Sequence, residues 1–141
     1  ILNCKNNQLT SLNVSGLTSL SRLECINNQL TSLNVSGCTA LSLLDCRLNQ
    51  LTSLNVSGCT ALTHLLCLLN QLTSLNVSGC SHLNTIYCQY NKLSSLDLRG
   101  TLVEYLVWWH EDSWFYSPYG FWWIGLDSDD DVWVIWPEIK D

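Results

Sequence analysis

Eight cysteines are the residues of this sequence with the widest chemical scope, because thiols can form disulfides, bind metal ions or act as nucleophiles. Within each of two series they recur every 21 residues. If such copies stack in a parallel sheet, neighbouring side chains lie about 4.8 Å apart and point the same way, whereas a disulfide needs converging Cβ vectors. No Cys-x-x-Cys pair suggests zinc. We therefore expect buried free thiols and no metal ion in the columns Cys4, Cys25, Cys46, Cys67 and Cys88, and Cys38, Cys59 and Cys80.

Two short runs in the last third of the chain also have acid-base potential. His110, Glu111 and Asp112 are adjacent in sequence, and three neighbours seldom converge on one substrate. The acidic run at 127–131 lacks the glycine and the distal glutamate of an EF-hand loop, so we interpret it as a solvated turn. No recognisable nucleophile, phosphate loop or zinc motif accompanies these runs. The sequence thus predicts a protein that is not an enzyme and holds no cofactor.

Both cysteine series belong to a repeat of 21 residues that covers five copies. Around Leu23 and Cys25, apolar residues alternate with variable ones, which is the period of a half-buried strand. Identically directed strands one repeat apart must pair in parallel. We therefore predict a parallel sheet with leucine and cysteine facing inward and variable residues facing outward. The copies begin at Leu2, Leu23, Leu44, Leu65 and Ile86.

Two further columns are fixed for structural reasons. An asparagine follows each strand, where its amide can satisfy backbone groups of its own and the neighbouring turn, so we predict a buried asparagine ladder. A glycine marks the opposite corner, where a left-handed or crowded backbone is expected. The columns are Asn7, Asn28, Asn49, Asn70 and Asn91, and Gly16, Gly37, Gly58, Gly79 and Gly100.

The pattern Leu-x-x-Leu-x-Cys-x-x-Asn-x-Leu resembles the leucine-rich-repeat family. The run Asn-Gln-Leu-Thr-Ser-Leu-Asn-Val-Ser-Gly, with cysteine in the strand, resembles the bacterial subgroup found in Bacteroides and Treponema surface proteins. The resemblance covers residues 1 to about 110. It implies a mainly β repeat solenoid with a right-handed arc, a parallel concave sheet and little helix. It also implies an extracellular or bacterial cell-surface location and a protein partner bound through the concave sheet.

The pattern weakens after Gly100, where one residue must be deleted before Leu106 and Trp108 fall into the strand columns. We therefore divide the chain into leucine-rich repeats at 1–110, with five regular copies and one degenerate copy, and a C-terminal region at 111–141.

The C-terminal region is aromatic and acidic. Twelve of the fourteen aromatic residues lie after residue 100. Strands at 114–116 and 121–124 flank a Ser-Pro-Tyr-Gly turn, and a third strand at 132–136 follows the acidic run. We predict an aromatic antiparallel β cap over the end of the solenoid. Aromatic residues of the cap that remain exposed are candidates for an assembly or glycan contact, namely Trp114, Tyr119, Trp122, Trp123 and Trp133.

Variation between copies concentrates on the strand and the residues that flank it, hereafter the variable face. The exposed polar positions of the return path barely vary, although neutral drift affects both equally. This contrast indicates a tuned binding surface, polar in the first repeats and apolar in the last. The alternative for its apolar part is that the C-terminal region folds back and covers these residues. Its candidate contact residues are Arg22, Glu24, Ile26, Asp45, Arg47, Leu48, His64, Leu66, Leu68, Tyr87, Gln89, Tyr90 and Trp109.

Charge narrows the class of partner. Residues 1–100 carry five basic and three acidic side chains, whereas residues 101–141 carry one lysine against nine acidic side chains. Because lysine and arginine are not clustered in either part, nucleic acids and anionic membranes are poor candidates for a binding partner. No apolar run is long enough to insert into a membrane. We therefore predict a non-catalytic recognition module that binds a protein partner. The alternatives are a head-to-tail filament of copies, joined through the aromatic end and the N-terminal edge, and a glycan-binding surface module.

Overall fold

The computed structural model describes residues 1–103 in full and, beyond them, the backbone of strands at 105–107, 109–110, 113–114 and 133–135. Strands are numbered along the chain, and one strand from each repeat enters a six-stranded parallel sheet, hereafter the long sheet. Neighbours in it pair at the repeat spacing, as in Leu23 with Leu44. The strands are β1 Leu2–Asn3, β3 Arg22–Glu24, β5 Leu43–Asp45, β7 His64–Leu66, β9 Thr85–Tyr87 and β11 Tyr105–Val107.

A second row of strands lies on the return path of each repeat. Its central leucine faces the core, while the flanking serine and asparagine are exposed, as in β4. Pairing is parallel between β2 and β4 and between β6 and β8. The strands are β2 Ser11–Asn13, β4 Ser32–Asn34, β6 Ser53–Asn55, β8 Ser74–Asn76 and β10 Ser95–Asp97.

The sixth strand of the long sheet shows where the repeat becomes irregular. Leu106 of β11 pairs with Ile86 of β9, an offset one residue shorter than in the other pairs. This register matches the deletion predicted after Gly100. Beyond it, β12 Trp109–His110 and β13 Ser113–Trp114 pair antiparallel with each other and are not part of the long sheet.

The last described strand corrects one feature of the predicted cap. A strand is present at β14 Trp133–Ile135, within the predicted 132–136, but it pairs parallel with β10 and so extends the second row. The physical reason is that β10 would otherwise have an unpaired edge, and β14 supplies it with backbone hydrogen-bond partners. The predicted strand at 121–124 and its turn lie outside the described residues.

The leucine columns form one continuous hydrophobic core that contains residues of both rows. Leu23 and Cys25 of the long sheet are fully buried, as are their equivalents Leu44 and Cys46, so the predicted inward face is confirmed. In the part of the chain that the structure describes there is no helix, and thus none that is long and apolar enough to cross a membrane.

The asparagine ladder is present and joins consecutive turns. Asn49 donates from Nδ2 to the carbonyls of Cys25, at 3.0 Å, and of Cys46, at 3.1 Å. Its Oδ1 accepts the Leu30 N–H at 3.0 Å. Because each amide bonds its own turn and the preceding one, the ladder fixes the spacing of the strands above the core. Asn28, Asn49 and Asn70 are buried, as predicted, whereas Asn7 in the first repeat is exposed and Asn91 is half-buried.

The glycine column has the predicted left-handed backbone, with φ between +75° and +84°. At Gly37 a second constraint applies, because a Cβ there would meet the Cα and N of Gly16 at 3.4 Å. Asparagines of the second row close the same corner. For example, Asn34 Oδ1 accepts the Ser36 N–H at 3.0 Å. Their invariance therefore has a structural cause.

Candidate protein-binding face

Within residues 1–103, the long sheet places the candidate contact residues on or beside one surface. Successive side chains of a strand point to opposite faces, and the central apolar residue of each strand points into the core. Their exposure varies. The exposed members are Arg22, Leu48, His64, Tyr87 and Tyr90, and the half-buried members are Glu24, Ile26, Arg47, Leu66, Leu68 and Gln89.

Two candidates differ from the prediction. Asp45 is buried rather than exposed, because the Arg47 guanidinium covers its carboxylate. Trp109 lies in β12, which pairs with β13 and not with the long sheet, so its backbone does not continue the variable face. Among the cap candidates, Trp114 lies in β13 and Trp133 in β14, while Tyr119, Trp122 and Trp123 lie outside the described residues.

The first three repeats contribute a cluster of charged side chains, hereafter the charged end. Glu24 and Asp45 are register partners on neighbouring strands, which puts two carboxylates side by side. Arg22 and Lys5 both contact the Glu24 carboxylate, and Arg47 binds Asp45 through two hydrogen bonds of 2.7 Å. Each acid is thus neutralised by its own basic partner, which offsets the repulsion between like charges directly opposite each other.

The acids and bases of the charged end lie at different depths. The side chains of Glu24 and Asp45 are only 12% and 6% exposed, whereas those of Lys5, Arg22 and Arg47 are 45%, 49% and 38% exposed. Solvent therefore meets three basic groups above two sunken carboxylates. The hydrogen bond from Arg22 lowers the pKa of Glu24, and the hydrogen bond to Asp45 raises the pKa of Arg47, so both contacts favour the charged forms of Glu24 and Arg47.

From Leu48 of the third repeat onward, apolar side chains replace charged ones on the variable face, and this part is hereafter the apolar end. Leu48, Leu69, Tyr87 and Tyr90 are each at least 36% exposed. Their repeats are adjacent in the sheet, so Leu48, Leu69 and Tyr90 follow one another at about 4.8 Å. Half-buried Leu66 and Leu68 lie in the same repeat as Leu69. A contiguous exposed patch of this kind is typical of an interaction surface.

Three residues of the apolar end also have an unusual backbone. Leu48, Leu69 and Tyr90 have φ of +55°, +55° and +57°, in the left-handed region. Asn6 and Asn27 occupy the same column in the first repeats with the same conformation. Asparagine tolerates it, whereas leucine and tyrosine do so at a cost of about 1 kcal/mol or more.

Backbone hydrogen bonds between consecutive turns hold this column left-handed whatever the residue. The Leu48 N–H donates to the Leu68 carbonyl at 3.2 Å, and the Leu48 carbonyl accepts the Asn28 N–H at 3.3 Å. The same pair of bonds flanks Leu69. Because the N–H and the carbonyl of this residue are both bonded to neighbouring turns, its backbone cannot relax without breaking these hydrogen bonds. Leucine at this column is therefore strained and exposed at once.

Lys5 and Leu69 vary between copies and were expected to face outward, but they were not among the predicted contact residues, and the left-handed column was not predicted. A signal for that column was present. Asparagine at two of its five positions, Asn6 and Asn27, is typical of left-handed backbone just after a strand. Leucine in the same column would then have stood out as an unfavourable choice.

All eight cysteines are free, and all except Cys4 are buried. Burial raises the pKa of the Cys25 and Cys88 thiols to about 12, so these groups are protonated at neutral pH and are weak nucleophiles. Several of the thiols donate hydrogen bonds to backbone carbonyls, for example Cys38 Sγ to the Val14 carbonyl at 3.1 Å. Among the described residues, no three His, Cys, Asp or Glu side chains converge to hold a metal ion.

A search of solved structures finds the functional domain of InlJ from Listeria monocytogenes, a domain described as including a cysteine ladder. The similarity has 38% sequence identity and a TM-score of 0.65, and it covers 79% of this chain but only 26% of the InlJ chain. The chain therefore spans about a quarter of that protein's domain. No protein-family model and no curated protein matches the chain. Together with the strand topology, the similarity identifies the fold as a leucine-rich-repeat-type parallel β-solenoid.

Proposed function

We propose that this chain is a non-catalytic recognition module that binds a protein partner through its variable face. The observation that carries the proposal is the state of Leu48, Leu69 and Tyr90, which are large, exposed and left-handed. Exposure and backbone strain both disfavour them, and asparagine would avoid both. Side chains kept against such a cost are candidates for function.

The opposite surface of each repeat supports the same reading by contrast. The exposed serines and asparagines of the second row are the same in four consecutive copies, from Ser11 and Asn13 to Ser74 and Asn76. The asparagines have a structural reason for this, because each closes a turn. The surface that carries the strained apolar residues thus varies between copies, whereas these exposed second-row positions do not.

We also propose an extracellular or bacterial cell-surface location, on the basis of the repeat's resemblance to Bacteroides and Treponema surface proteins and of the similarity to a Listeria domain.

Self-association and glycan binding are the competing functions. Light scattering over a hundredfold range of concentration separates self-association, because assembly increases the mass with concentration. Tryptophan fluorescence with an oligosaccharide panel separates glycan binding.

Site-directed photo-crosslinking tests the proposed function. A benzoylphenylalanine side chain replaces Tyr90 in one variant of the full chain and the exposed Asn55 of the second row in the matched control. Both are illuminated with extracellular protein fractions. We expect a discrete crosslinked protein from position 90 that is absent from position 55 and is competed away by excess wild-type chain. Equal crosslinking at both positions, or none at either, would contradict the proposal.

A further inference from the structure

We infer that the partner presents acidic side chains beside apolar ones, so that acids meet the charged end while apolar groups meet the apolar end. This inference rests on the proposed function and adds the chemistry of the partner. The formal charge of the charged end is close to neutral, so the depth of its charged groups decides which charges a partner meets.

The exposed groups of the charged end are basic. Glu24 and Asp45 lie below the surface, and each is occupied by its own partner. Arg22 bonds Glu24 through Nε, and its terminal nitrogens make no hydrogen bond within the described residues. Arg47 uses Nε and one Nη on Asp45. A guanidinium has five N–H donors, so donors remain for an acidic group that approaches from outside.

The sunken carboxylates also orient the basic groups in advance. A long side chain loses rotamer entropy when it is immobilised on binding, and a pre-formed ion pair reduces that loss. Asp45 holds Arg47 by two bonds, and Glu24 bonds both Arg22 and Lys5. The basic groups of the charged end are therefore preorganised to bind acidic groups. A basic partner would meet three exposed cations and be repelled.

The two ends adjoin along the sheet. Asp45 pairs with Leu66 of the next strand, and Leu48 lies in the same repeat as Arg47. Successive strands are about 4.8 Å apart, so an acid bound over Arg47 would lie about 5–10 Å from an apolar group over Leu69. That separation fits side chains a few positions apart in one peptide segment.

A selection from a random 12-residue peptide display library on the immobilised full chain tests the inference. We expect enriched peptides to carry Asp or Glu close to an aromatic or aliphatic residue. Enriched peptides without an excess of acid, or with an excess of base, would overturn the inference. If position 90 still crosslinks a protein in that case, the proposed function stands and only the partner chemistry is wrong.

Two charge-neutral variants locate the binding of the selected peptides. Arg22→Gln with Glu24→Gln, and Arg47→Gln with Asp45→Asn, each remove one positive and one negative charge, so the net charge of the chain does not change. No carboxylate is left unpaired. We expect either pair to weaken acidic peptides about tenfold, which corresponds to one lost charge contact. Unchanged affinity in both pairs would place the peptides elsewhere and would overturn the inference.

A synthetic peptide of residues 127–141 distinguishes the source of such a ligand. This segment contains six acidic residues, two tryptophans and one lysine. If it binds as tightly as the selected peptides and weakens in the same variants, the acidic partner is a second copy of this chain. We expect only the selected peptides to bind, because the proposed partner is a different protein, and equally tight binding of the synthetic segment would overturn that assignment.

Discussion

Replacing Asn49 by alanine tests how the turns of this solenoid are held together. Asn49 has three carbonyls within hydrogen-bond distance of its Nδ2, those of Cys25, Cys46 and Arg47, although an amide has only two N–H groups to share among them. Its Oδ1 accepts the Leu30 N–H. The variant therefore removes about three effective hydrogen bonds.

These bonds are not equally replaceable. The Cys25 carbonyl also accepts from Asn28, and the Cys46 carbonyl also accepts from Asn70, so both keep one partner in the variant. The buried Leu30 N–H has no second acceptor among the described residues. An orphaned buried donor costs about 1–3 kcal/mol, and each shared carbonyl bond about 0.5–1 kcal/mol, so we expect a loss of about 3 kcal/mol.

Urea denaturation measures this loss. At a slope of about 2 kcal/mol per molar urea, the midpoint should fall by about 1.5 M with the slope unchanged. The matched control is Asn34→Ala, which removes one exposed turn bond of 3.0 Å to the Ser36 N–H and should cost less than about 1 kcal/mol. A midpoint for Asn49→Ala equal to that of the control would show that the ladder does not stabilise the stack as argued.

Three further results are expected. Asn49→Asp should be less stable at neutral pH than at pH 4, because burial among carbonyl oxygens raises the pKa of the new carboxyl and stability falls as pH rises through that raised value; denaturation at several pH values measures it. Leu48→Asn with Leu69→Asn should change the free energy of unfolding by less than about 1 kcal/mol, because relief of the left-handed strain offsets the lost apolar burial, and a larger destabilisation in urea would refute the strain. Iodoacetamide at pH 8 should modify Cys4 in the folded chain while buried thiols such as Cys46 react only on unfolding, as peptide mass mapping would record, and rapid labelling of Cys46 would contradict its burial.

Most of the fold could be predicted because the repeats act as an internal alignment. Columns such as Leu23 and Cys25 are dictated by a period of two within strands and of 21 between them, and both residues are buried as expected. The ladder at Asn49 and the left-handed glycine corners followed from backbone groups that must be satisfied. These are local requirements repeated in every copy, so five copies report each of them.

The geometry of the variable face was less predictable because it depends on contacts between repeats. Asp45 was expected to be exposed, but Arg47 two residues later folds over it. The strain at Leu69 follows from bonds to the next and preceding turns, which no single copy contains. The parallel pairing of β14 with β10 was not predicted, because residues 133–135 lie outside the repeat pattern and no other copy indicates their partner.

The most direct test of the central claim is the affinity of the crosslinked partner, measured by titration calorimetry against three forms of the full chain. These are the wild type, Leu48→Asn with Leu69→Asn on the variable face, and Ser53→Asn with Ser74→Asn on the exposed second row. If the variable face is the binding site, the first double variant should weaken binding about a hundredfold, as expected for two lost apolar anchors, and the second should stay within about twofold of wild type. Equal affinity for all three forms, or a loss confined to the second-row variant, would contradict the account.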